Sequence, residues 1–181
     1  MVNTTTNYSA WLDQFLLNLE RSGHQGQETQ RFLTERHIRL GFHDQPTAAR
    51  WTITSQIQLH PRYAAEPPDS PYPQSLIVHE VRHLQQGWIT ALSVRGELEA
   101  WQLQFAFLKS LTGRYHELTY RDLIIRELMS YSPNGDRRGL SQVRDLMRAY
   151  AGKAYRIDLL PLYPLPEEIR FLISGSQLLG K

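Results

Sequence analysis

Two imidazoles four residues apart on a helix can present ring nitrogens to one point. The stretch "SLIVHEVRHLQQG", residues 75–87, has that spacing in His79 and His83, with Glu80 directly after the first. Zinc takes imidazole nitrogen at about 2.0 Å and tolerates this geometry well. A carboxylate at the Glu80 position of such a helix leaves the metal alone and acts as general base and acid. The bland alternative is an amphipathic helix with two chance histidines. The flanks argue against it. Ser75 can cap, and Leu76, Ile77, Val78, Val81 and Leu84 make the helix largely buried, where a polar pair needs a purpose.

A catalytic zinc of this kind needs a third protein ligand and keeps its fourth position for water. The chain has no cysteine, so the ligands must be His, Asp or Glu. Glu97 and Glu99 in "GELEAW" are the candidates. With Leu98, Trp101, Phe105 and Leu108 centring the apolar stripe, Glu97 falls at its margin and Glu99 projects towards the opposite side. Helical geometry therefore favours Glu97, with Glu99 the alternative. Either acid could also be a first-turn carboxylate favoured by the helix dipole.

These residues need elements to position them. A first helix is expected from about Ser9, as N-cap, to about Ser22, with Gly23 as its stop and Trp11, Leu12, Phe15, Leu16 and Leu19 on one face. A second, short helix is expected over residues 26–36, "GQETQRFLTER". The period then changes to two, in "HIRLGFH" and, after the turn "DQPT", in "WTITSQIQLH". Two half-buried antiparallel strands follow, the second running over residues 51–60, with Trp51, Ile53, Ser55, Ile57 and Leu59 on one face. His43 and His60 read as exposed strand positions.

Beyond the proline-rich connector 61–73 and the histidine helix, "GELEAWQLQFAFLKSLTG" is a helix closed by Gly113. "TYRDLIIRELMSY" is another, with Thr119 and Asp122 shaped like a capping box, and "LSQVRDLMRAYAG" a third, ended by Gly152. The tail, broken by Pro161, Pro164 and Pro166, should run extended and finish as a helix from about Glu167. Its Leu and Tyr residues are expected to cover the core rather than to inhibit the cleft. The order of elements predicts one α+β domain over 1–181, with N-terminal helices in 1–36, sheet and histidine helix in 37–113, and a helical part with tail in 114–181.

Bulk properties narrow the class. The chain has 181 residues, 41% of them hydrophobic and 21% charged, an ordinary globular composition. The net charge is only +2, and its 20 basic residues are scattered, so no nucleic-acid partner is expected. The first apolar segment is interrupted by Asp13, Gln14, Asn18 and Glu20, too polar for a secretory core or membrane span. A cytoplasmic protein without a membrane partner is expected. Oligomeric state is silent.

The histidine motif, Gly87 soon after it, and a glutamate on the following helix resemble the gluzincin zinc metallopeptidases, closest to the minimal members of that group. The match covers roughly residues 37–112. The resemblance implies a zincin-like fold, with a small antiparallel or mixed sheet packed on the active-site helix. It implies His79, His83 and Glu97 as Zn2+ ligands and Glu80 as general base, in a peptidase that hydrolyses peptide or protein substrates through zinc-activated water. It also implies that the strand over residues 51–60 is the rim along which an extended peptide pairs.

The chain departs from the family where many members place an Asp four residues after the ligand Glu. Trp101 stands there, so the partner that orients a histidine must come from elsewhere, Asp122 or a backbone carbonyl being candidates. A donor to the transition-state oxyanion is expected outside the motif, and "RYHELTY" offers His116 and Tyr120, with Tyr115. A second reading makes the chain a non-catalytic zinc-binding regulatory or interaction module on the same scaffold, and a third makes both histidines structural.

Overall fold

Helices form where apolar residues recur at helical spacing and a glycine stops them. The computed structural model describes residues 8–52, 54–152 and 155–178. Helix α1, Ser9–Arg21, and helix α2, His24–Glu35, are parted by Gly23 at φ 92°. Tyr8 rather than Ser9 holds the N-cap position, and it caps through no side chain. Helix α1 buries Phe15 and Leu19 and packs on α2. Trp11 stacks on Phe15 with ring centroids 4.9 Å apart and meets Phe42 edge-on at 5.2 Å. Its indole N–H donates to the Glu66 carbonyl at 2.8 Å.

The sheet differs from expectation. Residues 51–60 are not one strand. Strand β1 is Arg39–Phe42, β2 is Ala49–Thr52 and β3 is Gln56–Leu59, in the order β1-β3-β2. The chain doubles back between β2 and β3, where the Ser55 N–H donates to the Thr52 carbonyl at 3.1 Å and Ser55 takes φ 56°. Trp51 and Ile57, expected on one strand, are partners across two. Strand β1 runs parallel to β3 and β2 antiparallel, so the sheet is mixed. Ile53, placed on the same face in sequence, lies outside the described residues.

Strand β3 therefore sits at the centre, with both sides of its backbone paired. It cannot be the rim that accepts a peptide; the open edges belong to β1 and β2. His60 follows β3 and caps the 3-10 turn Pro61–Ala65, its Nδ1 accepting from the Arg62 N–H at 3.0 Å.

Helix α3, Pro71–Gln86, begins before Ser75. Pro71 and Pro73 fit its first turn, where a missing N–H removes no helical bond. Ser75 is thus inside the helix, its hydroxyl donating to the Tyr72 carbonyl at 2.7 Å. Residues 73–81 are buried without interruption. Gly87, at φ 76°, ends α3 and leads into a short helix α4, Trp88–Ala91, that the sequence did not announce.

Ser93 caps helix α5, Val94–Thr112, by accepting from the Gly96 N–H at 3.0 Å. Gly113 closes it in the left-handed conformation. Helix α6 is Thr119–Ser130, α7 is Arg137–Ala151 and α8 is Leu165–Leu178. Asp136 caps α7 through the Gly139 N–H. The expected capping box at Thr119 is absent: Asp122 accepts instead from the Tyr115 and His116 N–H groups and from Arg126.

The chain divides into two compact units, Met1–Val81 and Arg82–Lys181, the division falling inside α3. In the second unit α5 packs against α4, α6 and α7, burying Leu98, Trp101, Phe105, Leu128, Leu140 and Met147. Truncating Phe105 to alanine costs about 3–5 kcal/mol, whereas an exposed pair such as Arg148–Asp158 contributes about 0–1 kcal/mol. Apolar packing therefore sets the platform. The many helices with one small mixed sheet make an α+β chain. Among the described residues no helix is long and apolar enough to cross a membrane.

Candidate metal centre

Helix α3 carries His79 and His83 one turn apart, with 6% and 3% of their surfaces exposed. The first turn of α5 carries Glu97. One ligand atom from each of these three residues lies within 4.8 Å of the other two, and Glu80, also 6% exposed, stands beside His79 in the chain. Of the two sequence candidates for a third ligand, the structure brings Glu97 to the imidazoles.

Glu99 goes elsewhere, as its position two residues along α5 requires. Its Oε2 accepts from Arg82 at 2.7 Å and from the Gln86 amide at 2.9 Å. That same Gln86 nitrogen also donates to the Gly96 carbonyl at 3.0 Å. Both partners are acceptors, so the Gln86 amide must turn its oxygen the other way, and that oxygen lies 3.2 Å from His83 Nδ1. A carbonyl oxygen can only accept, which puts a proton on Nδ1. In the neutral ring Nε2 then carries no proton and is the nitrogen able to act as a ligand.

His83 Nε2 faces Glu97 Oε2 at 3.6 Å, too long for a hydrogen bond. Two electron-rich atoms facing each other in a buried site repel unless positive charge lies between them or on the ring. Zinc bonds of about 2.0–2.1 Å in a tetrahedron set its ligand atoms about 3.3 Å apart, close to this spacing. Two imidazoles, one carboxylate and a fixed tautomer therefore fit a zinc ion.

On its other side Glu97 meets a residue the sequence did not single out. The Tyr155 hydroxyl donates to Glu97 Oε2 at 2.5 Å and accepts from the Trp101 indole N–H at 2.8 Å. Trp101 lies one turn beyond Glu97 on α5, so both face the same way. Its ring meets Phe105, Tyr150 and Tyr155 edge-on at 5.1–5.6 Å. The tail is fastened to the start of the same helix. The Val94 and Arg95 N–H groups donate to the Pro161 and Leu162 carbonyls at 2.8 and 3.1 Å, and Arg95 grips Glu167 with two bonds. No local signal marked Tyr155, which is 58 residues from its carboxylate partner; Gln86, one turn after His83, was within reach of helical spacing.

Gly96 is fixed by crowding. A Cβ there would come within 2.0 Å of the Thr90 carbonyl oxygen, so only glycine lets α4 approach the turn that carries Glu97.

The remaining expectations fall outside this group. The contacts of His116 run to the Leu118 N–H, at 2.9 Å, and to the Tyr150 ring, at 6.0 Å. Burial and then the Arg121 charge hold His116 below its ordinary pKa. Tyr120 is 57% exposed and accepts from Arg121. Asp122, offered as a partner that orients a histidine, binds the loop ahead of α6. Arg126 and the two backbone N–H groups hold its carboxyl below the ordinary range, although desolvation opposes them. Gln86 makes a contact to His83 of the kind for which Asp122 or a backbone carbonyl was a candidate.

Comparison of the chain with protein-family models, curated proteins and solved structures finds no match.

Proposed function

We propose that the chain is a zinc-dependent peptidase of zincin-like, gluzincin type, with His79, His83 and Glu97 as ligands and Glu80 as general base. The observation that carries this reading is the gathering of those three side chains beside a buried Glu80. Zinc held there supplies Lewis acidity towards a substrate carbonyl and towards water. Glu80 takes the proton from the attacking water and returns it to the leaving amine as the peptide bond breaks.

Gln86 keeps the His83 proton on Nδ1, and Arg82 through Glu99 keeps Gln86 in place. His116 and Tyr120 are not needed for these steps. The non-catalytic alternative drew its support from Trp101 standing where many gluzincins place an Asp. In this fold the indole N–H donates to the Tyr155 hydroxyl, which gives Trp101 a use beside Glu97.

The test is Glu80→Gln, which keeps size and removes the base. Turnover of a mixed peptide library is expected to fall by about 10²–10⁴ while bound zinc is unchanged. Zinc retained with undiminished turnover would remove Glu80 from the mechanism.

A further inference from the structure

We infer that Tyr155, held by Trp101, is a positioning residue that aims the Glu97 carboxylate at the two imidazoles, which makes the C-terminal tail part of the metal centre. This rests on the zinc site proposed above and names what fixes its third ligand.

The hydrogen-bond chemistry permits one arrangement. Indole N–H can only donate, so the Tyr155 oxygen must accept from Trp101. Its own proton then points to Glu97 Oε2, which can only accept as a carboxylate. The oxygen so engaged is the one that faces His83 Nε2 at 3.6 Å. One lone pair of Oε2 is thus committed to the phenol, and the direction of the carboxylate plane follows from a fixed donor rather than from a free rotor.

The donor is itself immobilised. Trp101 is 4% exposed and boxed by Phe105 and Tyr150, so its N–H direction is set by packing. The tail beyond Tyr155 is tied to the first turn of α5 by the backbone bonds at Val94 and Arg95. The phenol and the carboxylate it aims are therefore carried on segments that cannot separate without breaking those bonds. Groups that hydrogen-bond to metal ligands typically change metal affinity by 10–100-fold.

The test compares the full-length chain with Tyr155→Phe and, as a control, Tyr163→Phe. The control removes a hydroxyl from the same tail, one that donates to the Gly135 carbonyl and not to Glu97. Zinc affinity is measured by chelator competition, the visible spectrum after cobalt substitution reports coordination, and metal-free thermal melts report fold. Tyr155→Phe is expected to weaken zinc by about 10–100-fold and to shift the cobalt spectrum, with Tyr163→Phe matching wild type in both.

Equal zinc affinity and an identical cobalt spectrum in Tyr155→Phe would overturn the assignment while leaving the zinc site standing. So would equal weakening in both variants, which is loosening of the tail and not aim. Should the wild-type chain itself take up no zinc, the metal centre falls and this assignment falls with it.

Discussion

Two regions of this chain offer histidine and tyrosine for chemistry, and they are built in opposite ways. On α3 and α5, His79, His83 and Glu80 are nearly sealed from solvent, and His83 and Glu97 each have a hydrogen-bond partner that is itself held. Around the start of α6, Tyr120 in its first turn is more than half exposed, and His116 in the loop ahead accepts from a backbone N–H two residues away. Residue type alone does not separate them. Burial and a fixed proton do, because a low-dielectric site makes an aimed charge worth more and a misplaced one more costly.

The comparison breaks most visibly at the ligands. His83→Ala and His79→Ala are expected to abolish stoichiometric zinc binding, measured by elemental analysis, and with it all cleavage. Retained zinc in either variant would move the site elsewhere. Next come the two glutamates of α5. Glu97→Gln should lose zinc as the histidine variants do. Glu99→Gln leaves the ligands in place and weakens the hold on Gln86 and Arg82, so its zinc affinity should fall by about 10-fold, with competition titrations as the readout. Equal losses in both would erase the distinction between ligand and support.

The exposed region should respond less. His116→Ala and Tyr120→Phe are expected to change kcat/KM by less than about 10-fold, well short of the effect of removing an oxyanion donor. A loss of 10²-fold or more in either would mark that residue as the oxyanion donor.

The smallest effect concerns the tail. Burial raises the Glu168 carboxyl, but Arg137 at 2.5 Å and the Tyr163 N–H outweigh it and hold it below its ordinary value of 4.5. A depressed native pKa adds stability above the ordinary value and loses it as pH falls through the native one. Glu168→Gln should therefore cost about 1 kcal/mol at pH 7, and the difference in thermal melts should shrink towards pH 3. A gap that stays constant with pH would mean the pair contributes through packing alone.

The helices were legible because apolar spacing and the stops at Gly23, Gly113 and Gly152 agree with one another. The hairpin was not. Alternation runs unbroken from Trp51 to His60, and the reversal uses Ser55 in the left-handed region, where no glycine or asparagine announced it. One strand was read where the chain folds back, and the proposed peptide rim is split between the edge strand β2 and the central strand β3.

At the site, the histidine pair and the choice of Glu97 over Glu99 follow from helical geometry, because residues two apart on a helix face different ways. What the sequence withheld is the support. Tyr155 comes from a proline-broken tail, and only the folded chain brings it to Glu97. Trp101, read as a departure from the family pattern, is where that support is anchored.

The most direct measurement is the zinc content of the untagged full-length chain after exhaustive dialysis, beside the double variant His79→Ala, His83→Ala. About one zinc per wild-type chain and none in the variant is the expected result. A wild-type chain that carries no more zinc than the variant would contradict the metal centre on which the peptidase reading stands.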